Sequence, residues 1–426
     1  MGLLQKLADA LKVGALKVTD VINNIFDPFE EFIRDAEPID EFLVLKAERF
    51  EDDLLKNFSF FDGKILHYRK ALTYKDDWAD QALFHGCYTA AFAFKHKAVG
   101  TTNSRAQLLK CIDGLDMHQM VDREPVRRLV RGFGPDGSWT DDCSNDSVGG
   151  HICGIYFAWL YGDDEIKSRC NNLAMGIADE LINNNYCLIN ADRTPTRFGR
   201  LINGLLTDPL RLAHCLTILK VAASTSNQKR YIDAYDEVVR KYNTGCLSKY
   251  AKAKLVTLDT RYDTHRAAFL LTILFELEKD EGLKKCYAQG VLRVFDYVKK
   301  EGNAWVTFLA HRVAQIDDKH IQQSLKTLKE FSVEAKQAGN IERINSTQAD
   351  SWKKKGVNFF KWGGKLVASQ PLPVHLMGQQ EFRWQRDAHS VDDWVGAKSP
   401  DTLFNGGDYL VAYWLGRLLG LIKESE

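Results

Sequence analysis

Helical periodicity dominates the hydrophobic pattern of the chain from about residue 74 onward. Within each segment, apolar residues recur three and four positions apart, as on one face of an α-helix. Polar loops rich in Asp, Arg, His and Trp separate these segments, and strand signals are sparse. The segments predict one helix around residues 87–94 and others near 104–121, 151–161, 165–184, 208–223, 228–242, 267–278, 281–299, 303–314, 319–337 and 409–421. The repeating unit is a helix pair of about 45 to 60 residues, which predicts an all-helical array able to close into a ring.

The stretch of residues 133–161 joins a polar loop to an apolar helix. Gly149 and Gly150 predict a tight turn just before that helix. One face of the helix carries Ile152, Ile155, Tyr156, Trp159 and Leu160. The loop holds Asp136, Asp141, Asp142, Ser144, Asn145, Asp146 and His151. Because a helix N-terminus is electropositive, this pattern indicates a site for acidic side chains or anionic ligands. The alternative is that the aspartates only cap backbone amides.

Residues 3–26 form a second kind of segment, an amphipathic helix ahead of the repeating array. Its predicted apolar stripe consists of Leu4, Leu7, Leu11, Val18, Ile22 and Ile25. The helix packs on the body of the protein, or it docks a protein partner or a second copy of the chain. A membrane-surface role is disfavoured because Asp9 and Asp20 dilute the basic face. The chain is therefore divided into residues 1–64, a helix with a linker, and residues 65–426.

Composition and charge exclude several classes of protein. The 426 residues contain 57 basic and 57 acidic side chains, so the zero net charge does not predict a nucleic-acid partner. There is neither a transmembrane run nor an export signal, which predicts a cytoplasmic protein or part of a larger assembly such as a phage particle. The nine cysteines form no C-x-x-C pair and are expected to be buried thiols. No cofactor and no metal site is predicted.

The order of the polar motifs resembles the six-hairpin glycosidase-like superfamily, the (α/α)6 toroids, and in particular its uncharacterised bacterial and phage branch. The motifs are DDWADQALFHGCYTAAFAF (76–94), GSWTDDCSNDSVGGHICGIYFAW (137–159), INADRTPTRFGRL (189–201), RYDTHRAAFLLTILFELEKD (261–280), EFRWQRD (381–387) and GGDYLVAYWLGRLLGLI (406–422). The resemblance covers roughly residues 65–422. It implies one all-α toroid with a central cleft and a site on the loops at one end of six inner helices. It implies no particular activity.

In such a toroid, the loops that enter the inner helices converge on one funnel. The candidate catalytic residues are Asp77, Asp142, Asp146, His151 and Asp263. The candidate substrate-binding residues are Trp78, Gln81, His85, Asn145, Arg197, Tyr262, His265, Trp384 and Arg386.

Two enzymatic chemistries fit these residues, and both act on a glycan or a smaller saccharide. Glycoside hydrolysis uses two carboxylates, one protonated and one ionised, and the aspartates are the candidates because these loops lack a clear Glu. A polysaccharide lyase or sugar epimerase instead abstracts a proton beside a carboxylate, with His, Tyr and Arg as its working groups. In both, Trp78 and Trp384 are candidate stacking faces for sugar rings. The alternative is a catalytically silent glycan-binding or structural subunit docked through residues 3–26.

Asp142 and Asp146 are four residues apart, and if the segment between them is one turn, both carboxylates face the same side. Two carboxylates that share a site repel each other, which raises one pKa and suits a general acid. If either points into the cavity free of Arg, its change to Asn should abolish turnover. If both are bound by Arg197 or by backbone amides, the same change should lower the melting temperature instead.

Overall fold

The computed structural model describes the chain in twelve stretches. They are residues 42–71, 78–123, 126–204, 207–242, 244–249, 262–331, 359–362, 365–371, 374, 382–385, 387–389 and 402–426. Residues 3–26 are outside these stretches, so the N-terminal amphipathic helix stays a prediction.

Twelve α-helices in the described residues alternate between an inner and an outer layer. The inner helices are buried on every side: α2 (Gln81–Val99), α4 (Asn145–Tyr161), α6 (Pro209–Ser226), α8 (Tyr262–Leu277), α10 (Ala304–Val313) and α12 (Gly407–Leu418). The outer helices are α1 (Leu43–Asn57), α3 (Thr102–His118), α5 (Asp164–Asn183), α7 (Lys229–Lys241), α9 (Glu281–Val298) and α11 (Asp318–Lys329). Each inner helix packs on the next, and α12 packs on α2, so the ring closes. The predicted all-α toroid of six helical hairpins is confirmed.

Helix α1 is the outer partner of α12. Its residues Leu43, Ala47, Phe50 and Leu54 are buried in the common core. The backbone of Gly406, just before α12, lies so close to the Phe50 ring that an added Cβ would be 1.9 Å from it. Helix α1 therefore completes the sixth hairpin, although it precedes residue 65, where the sequence places the start of the toroid. The division at residue 64 stays a prediction only for the part of the chain before α1.

Six short antiparallel strand pairs accompany the helices, although strand signals in the sequence are sparse. The pairs are β1 (Ser59–Phe60) with β2 (Ile65–Leu66), β3 (Arg69–Ala71) with β12 (Thr402–Phe404), β4 (Gln119–Arg123) with β5 (Val126–Leu129), β6 (Gly132–Phe133) with β7 (Trp139–Thr140), β8 (Cys187–Ile189) with β9 (Pro195–Arg200), and β10 (Phe359–Trp362) with β11 (Lys365–Ala368). All occur where an outer helix leads into the next inner helix. Strands of two to six residues are too short to show a period-2 pattern against the helical background.

Helices α2 and α4 are in unusually close contact because both carry glycine at the crossing. A Cβ on Gly86 would be 2.0 Å from the carbonyl oxygen of Gly150, and a Cβ on Gly150 would be 2.1 Å from that of Leu83. Gly149 and Gly150 therefore lie inside a helix, and the predicted tight turn before residue 151 is wrong. Their role is to let two backbones approach each other.

Candidate functional site

The long connections and the short ones lie at opposite ends of the toroid. Four of the six outer helices pass into the next inner helix through long segments that carry the strand pairs, whereas inner helices return to outer helices through links of a few residues, such as Gly162–Asp163. The N-terminal ends of the inner helices therefore share one face with nearly all of the irregular structure. We call this face the mouth. It is the only end at which connections are long enough to build a binding site from the described residues.

Helix α4 begins at Asn145, six residues earlier than the sequence predicts. Ser144 is its N-cap and accepts a hydrogen bond from the Ser147 backbone N–H at 3.3 Å. Asp146 lies in the first turn, where the helix dipole favours a carboxylate. Helix α8 likewise begins at Tyr262, so Asp263 also lies in a first turn. These polar residues are thus parts of helices that open at the mouth.

A buried arginine joins the first turns of α4 and α8. The Nη1 atom of Arg266 is 2.7 Å from Asp146 Oδ2, and its Nη2 atom donates to Asp263 Oδ1. The Arg266 side chain is only 6% exposed, whereas those of Asp146 and Asp263 are 30% and 22% exposed. Because both carboxylates bind one planar guanidinium, their nearest oxygens lie at most roughly 7.5 Å apart. The structure therefore brings together two of the predicted catalytic aspartates, and Arg266, which the sequence analysis missed, holds them there.

Asp142 is separated from this pair. Its Oδ1 atom accepts a hydrogen bond from the backbone N–H of Arg197 at 2.7 Å, and its own N–H donates to Asn190 Oδ1 at 3.0 Å. Its φ of 62° is a left-handed conformation that Asp tolerates in turns. The expectation that Asp142 and Asp146 face the same side of one turn is wrong, because Asp142 precedes the helix and Asp146 lies within it. Asp142 binds a backbone amide, as the structural alternative expects.

The hairpins β6–β7 and β8–β9 are joined beside this carboxylate pair. Asp141, which follows β7, accepts from the Ala191 backbone N–H at 2.8 Å and from Arg128 Nη1 at 2.9 Å. Each hairpin also presents an exposed aromatic ring, Trp139 at 38% and Phe198 at 40%. The guanidinium carbon of Arg128 lies 4.5 Å from the Trp139 ring, and that of Arg197 lies 5.0 Å from the Phe198 ring. Neither aromatic residue was among the sequence candidates, because exposure is not visible in the sequence.

The predicted histidines are buried beneath the mouth. His85, His151 and His265 each have no exposed surface. His85 accepts from the Leu66 backbone N–H at 3.1 Å and donates from Nε2 to the Cys111 carbonyl at 2.9 Å. Burial lowers the pKa of His85 to about 4 and that of His151 to about 3. In this structure they are neutral packing groups that do not reach a ligand at the surface, contrary to their predicted roles.

His265 is held by a neighbouring loop. Its Nδ1 atom is 3.2 Å from Gln385 Nε2, and burial, followed by the charge of Arg266, lowers its pKa to about 3. His214, which was not a sequence candidate, has the same character: its Nδ1 donates to the Leu210 carbonyl at 2.7 Å. A Cβ on Gly149 would be 2.5 Å from its Nε2, so glycine in α4 makes room for this ring.

Gln81 and Trp384 are also structural rather than ligand-facing. Gln81 is fully buried and binds the backbone of Phe133 twice, donating to its carbonyl at 3.1 Å and accepting from its N–H at 2.7 Å. Trp384 is 2% exposed and donates from Nε1 to the Asp408 carbonyl at 2.6 Å. A sugar cannot stack on a ring that is buried on both sides, so the predicted role of Trp384 does not fit this structure.

Segment 382–385 fills the centre of the mouth. The Phe382 ring lies 4.8 Å from that of Phe84 on α2 and 5.4 Å from that of His265 on α8. Asn303, the N-cap of α10, donates to the Trp384 carbonyl at 2.9 Å. The half-exposed polar groups consequently lie to one side, over α4 and the start of α8.

The remaining candidates divide into three groups. Asn145 and Tyr262 are half-buried at the first turns of α4 and α8, beside Asp146 and Asp263, and Arg197 is exposed on β9. Trp78 is half-buried, and its ring centroid lies 5.2 Å from that of Phe60 and 5.3 Å from that of His67. Asp77 and Arg386 lie outside the described residues.

Glu180 is a buried carboxyl that the sequence analysis missed. It lies near the C-terminal end of α5 and is 2% exposed. Its two oxygens accept from the backbone N–H groups of Leu129 at 3.2 Å and Ile189 at 3.3 Å, which ties β5 to β8 beneath the mouth. Burial raises its pKa from 4.5 to about 8, against the opposing effects of these hydrogen bonds and of Arg128.

We expect Glu180 to make the protein less stable as pH rises from 4.5 to 8. The Glu180 carboxyl holds its proton more tightly in the folded protein than in the unfolded chain. Its contribution to the free energy of unfolding is therefore largest below the unfolded-state pKa of 4.5, and it is lost as pH rises to the folded-state pKa of about 8. We expect the free energy of unfolding, measured with urea, to fall between pH 5 and pH 8.5, and to fall less for Glu180→Gln than for the parent chain. An equal decrease in both proteins would contradict the assignment.

The described residues give no sign of a metal centre or a reactive thiol. No three His, Cys, Asp or Glu side chains among them converge in a way that would hold a metal ion. Cys143 and Cys153, which flank the start of α4, are buried, and burial raises the pKa of both thiols well above the usual range. No helix in the described part of the chain is both long and apolar enough to cross a bilayer.

Comparison with known proteins finds similarity in fold. No protein-family description and no curated protein sequence matches the chain. Among solved structures, it is similar to a family 76 glycoside hydrolase from a bovine Bacteroides thetaiotaomicron strain, with a TM-score of 0.49 and 12% identity over 89% of this chain and 78% of that one. It is also similar to a D-mannose isomerase, with a TM-score of 0.46 and 11% identity over 89% and 97% of the two chains. A cellobiose 2-epimerase from Spirochaeta thermophila gives a TM-score of 0.44 and 10% identity over 95% and 99%. Likeness at this level concerns the fold alone.

Proposed function

We propose that this protein is a carbohydrate-active enzyme that binds a saccharide at the mouth, over Asp146 and Asp263. The observation that carries the proposal is the half-exposed carboxylate pair on Arg266, with exposed aromatic rings on the two joined hairpins nearby. Sugars present hydroxyl groups that donate to carboxylates and apolar ring faces that pack on aromatic side chains. Trp139 and Phe198 replace Trp78 and Trp384 as the proposed stacking faces, because they are more exposed.

The chemistry proposed for this pair is proton abstraction. Glycoside hydrolysis by two carboxylates requires one of them to carry a proton. Asp146 and Asp263 both bind the guanidinium of Arg266, and we assign one of them the role of the base. An ionised Asp would remove a proton from a sugar carbon next to a carbonyl or carboxylate group, as in lyase or epimerase reactions. Tyr262, half-buried beside Asp263, is the phenol that would donate its own proton to the carbon or to the leaving group, after which the protonated Asp loses its proton to water and the phenolate regains one from water.

A second candidate function is a catalytically silent glycan receptor. It is favoured by the same ion pairs, because carboxylates engaged with Arg266 bind hydroxyl groups without needing to exchange protons. The two functions share the saccharide and the surface. They differ in whether a carbon-bound hydrogen of the sugar is exchanged.

The test is to incubate the protein with a panel of saccharides in deuterated water and to follow deuterium incorporation and new products by NMR. The enzyme is expected to exchange one carbon-bound hydrogen. Asp146→Asn and Asp263→Asn should each lower that rate by roughly 100-fold or more, the usual contribution of a general base. Asp233→Asn is the control, since it removes a carboxylate that is ion-paired with Lys229 on the outer helix α7.

Three results separate the alternatives. Saccharide binding without exchange or products supports the silent receptor. Release of new reducing ends supports hydrolysis and contradicts the assigned chemistry. Failure of every saccharide to bind the folded protein overturns the proposed function as a whole.

A further inference from the structure

Hairpin β8–β9 presents three exposed arginines at the mouth: Arg193, Arg197 and Arg200. None of them forms an ion pair with a carboxylate among the described residues, and their side chains extend from a segment of only eight residues. The nearby Asp192 is engaged in its own turn, where it accepts from the Thr194 backbone N–H at 2.9 Å. We call these three residues the arginine wall.

Three other arginines described near the mouth are already paired with carboxylates. Arg128 binds Asp141 at 2.9 Å, Arg131 binds Asp80 at 3.2 Å, and Arg266 binds Asp146 and Asp263. The whole chain has no excess of basic residues, with 57 of each sign. The arginine wall is thus a local concentration of arginines that no carboxylate among the described residues pairs.

The backbone that carries this wall is fixed to the mouth. The Arg197 N–H donates to Asp142 Oδ1 at 2.7 Å, and Arg211 Nη1 donates to the Arg200 carbonyl at 3.1 Å. Asp142 is four residues before Asp146, so the Arg197 backbone lies within about 15 to 20 Å of the carboxylate pair along a fully extended path. Exposed Phe198 lies between Arg197 and Arg200, with the Arg197 guanidinium carbon 5.0 Å from its ring. This arrangement offers a stacking face flanked by two cations within reach of one short oligosaccharide.

We infer that the arginine wall recognises an anionic group of the saccharide, so that the substrate class is an acidic sugar. Guanidinium groups bind the planar oxyanions of carboxylates and sulfates through paired, charge-assisted hydrogen bonds. The inference rests on the proposed function and adds the substrate class to it. The carboxylate pair then contacts the sugar ring on which it acts, while the arginine wall binds the acid group. A neutral chain gains none of these charge-assisted hydrogen bonds and therefore binds more weakly.

The probes are two acidic and two neutral ligands. Oligogalacturonate carries carboxylates, a heparin-derived oligosaccharide carries sulfates as well, and cello- and manno-oligosaccharides are neutral. Polyglutamate serves as an anion without sugar rings. Binding is measured by calorimetry with the full chain at low and at physiological salt. We expect at least one acidic saccharide to bind about tenfold more tightly than either neutral one, with an affinity that falls as salt rises.

The variant combines Arg193→Gln, Arg197→Gln and Arg200→Gln, and we expect it to lose at least about tenfold in affinity for the acidic saccharide. Arg240→Gln is the control, because Arg240 is also exposed and without a carboxylate partner among the described residues, but lies on the outer helix α7. Arg197→Lys keeps the charge and should lie between the parent and the triple variant, since an ammonium lacks the paired donors. Thermal unfolding of each variant verifies that the fold is retained.

The outcomes distinguish the inference from the function on which it rests. Loss of acidic-saccharide binding in the triple variant supports both the inference and the proposed function. Tighter binding of oligogalacturonate then indicates carboxylate recognition, and tighter binding of the heparin-derived oligosaccharide indicates sulfate recognition. Tight binding of a neutral saccharide, unchanged in the triple variant, overturns the acidic class and leaves the proposed function standing. If polyglutamate binds as tightly as the acidic saccharides, the arginine wall binds anions in general and the inference that it recognises an acidic sugar is wrong. Absence of all saccharide binding overturns the proposed function and the inference together.

Discussion

Replacing Gly86 or Gly150 with alanine is expected to prevent stable folding of the toroid. Each new methyl group would come within 2.0 to 2.1 Å of a backbone carbonyl oxygen in the opposite helix. A backbone atom cannot move aside as the end of a side chain can, so α2 and α4 would have to separate. That separation would disturb a closed ring in which both helices are buried on every side, and we expect a loss of roughly 3 kcal/mol or more. Urea unfolding, or the yield of soluble protein if the variants do not fold, measures the effect.

Gly282→Ala is the matched control for the glycine substitutions. Gly282 lies in the first turn of the outer helix α9, and its Cβ would meet only the end of the Asp280 side chain at 3.2 Å. Alanine lowers the conformational entropy of the unfolded chain, so this variant is expected to be as stable as the parent or about 0.5 kcal/mol more stable. Equal stability of the Gly86, Gly150 and Gly282 variants would show that the backbones of α2 and α4 are not in close contact.

Replacing Arg266 with methionine is expected to cost both stability and saccharide binding. It leaves Asp146 and Asp263 near each other without the cation that balances them. Removing one partner of a buried ion pair typically costs 3 to 5 kcal/mol, and the partial exposure of these carboxylates reduces this to roughly 2 to 4 kcal/mol. Their mutual repulsion should also move the first turns of α4 and α8 apart. Urea unfolding and saccharide calorimetry measure the two effects.

Arg105→Met is the matched control for Arg266→Met. Arg105 likewise joins two carboxylates, with Nε 2.5 Å from Asp163 and Nη2 2.6 Å from Glu165. It lies on an outer helix at the opposite end of the toroid, and its side chain is 35% exposed. Solvent screens such a pair, so the loss of stability should be much smaller and saccharide binding should be unchanged. If the free energy of unfolding fell equally in both variants, the burial of Arg266 would not explain its contribution to stability.

Part of the architecture followed from the sequence because helix periodicity is a local signal. The spacing of apolar residues predicted eleven helices that overlap those observed, and their pairing predicted a ring. The aspartates at positions 146 and 263 were also found from the sequence, since polar residues just before or at the start of an apolar helix mark the end that faces solvent.

The sequence predicted the starts of α4 and α8 several residues later than the structure has them, and the reason is physical. A pair of glycines and a run of polar residues resemble a turn when only neighbours in the chain are considered. Gly149 and Gly150 lie within the helix, and they are glycines because α2 and His214 occupy the space that side chains would need. The glycine pattern thus reflects contact with another helix, which no local window contains.

The sequence by itself determined the all-α class, the repetition of helix pairs and the acidic residues at the starts of α4 and α8. Tertiary structure alone decided which polar residues reach solvent. His151 lies five residues after Asp146 and His265 two residues after Asp263, yet both histidines are buried inside the ring, while Trp139 and Phe198 are exposed. Helical position fixes the direction of a side chain, but the neighbouring helices determine whether that direction leads to solvent or to the core. The pairing of Arg266 with two aspartates was likewise settled by the packing of α4 against α8.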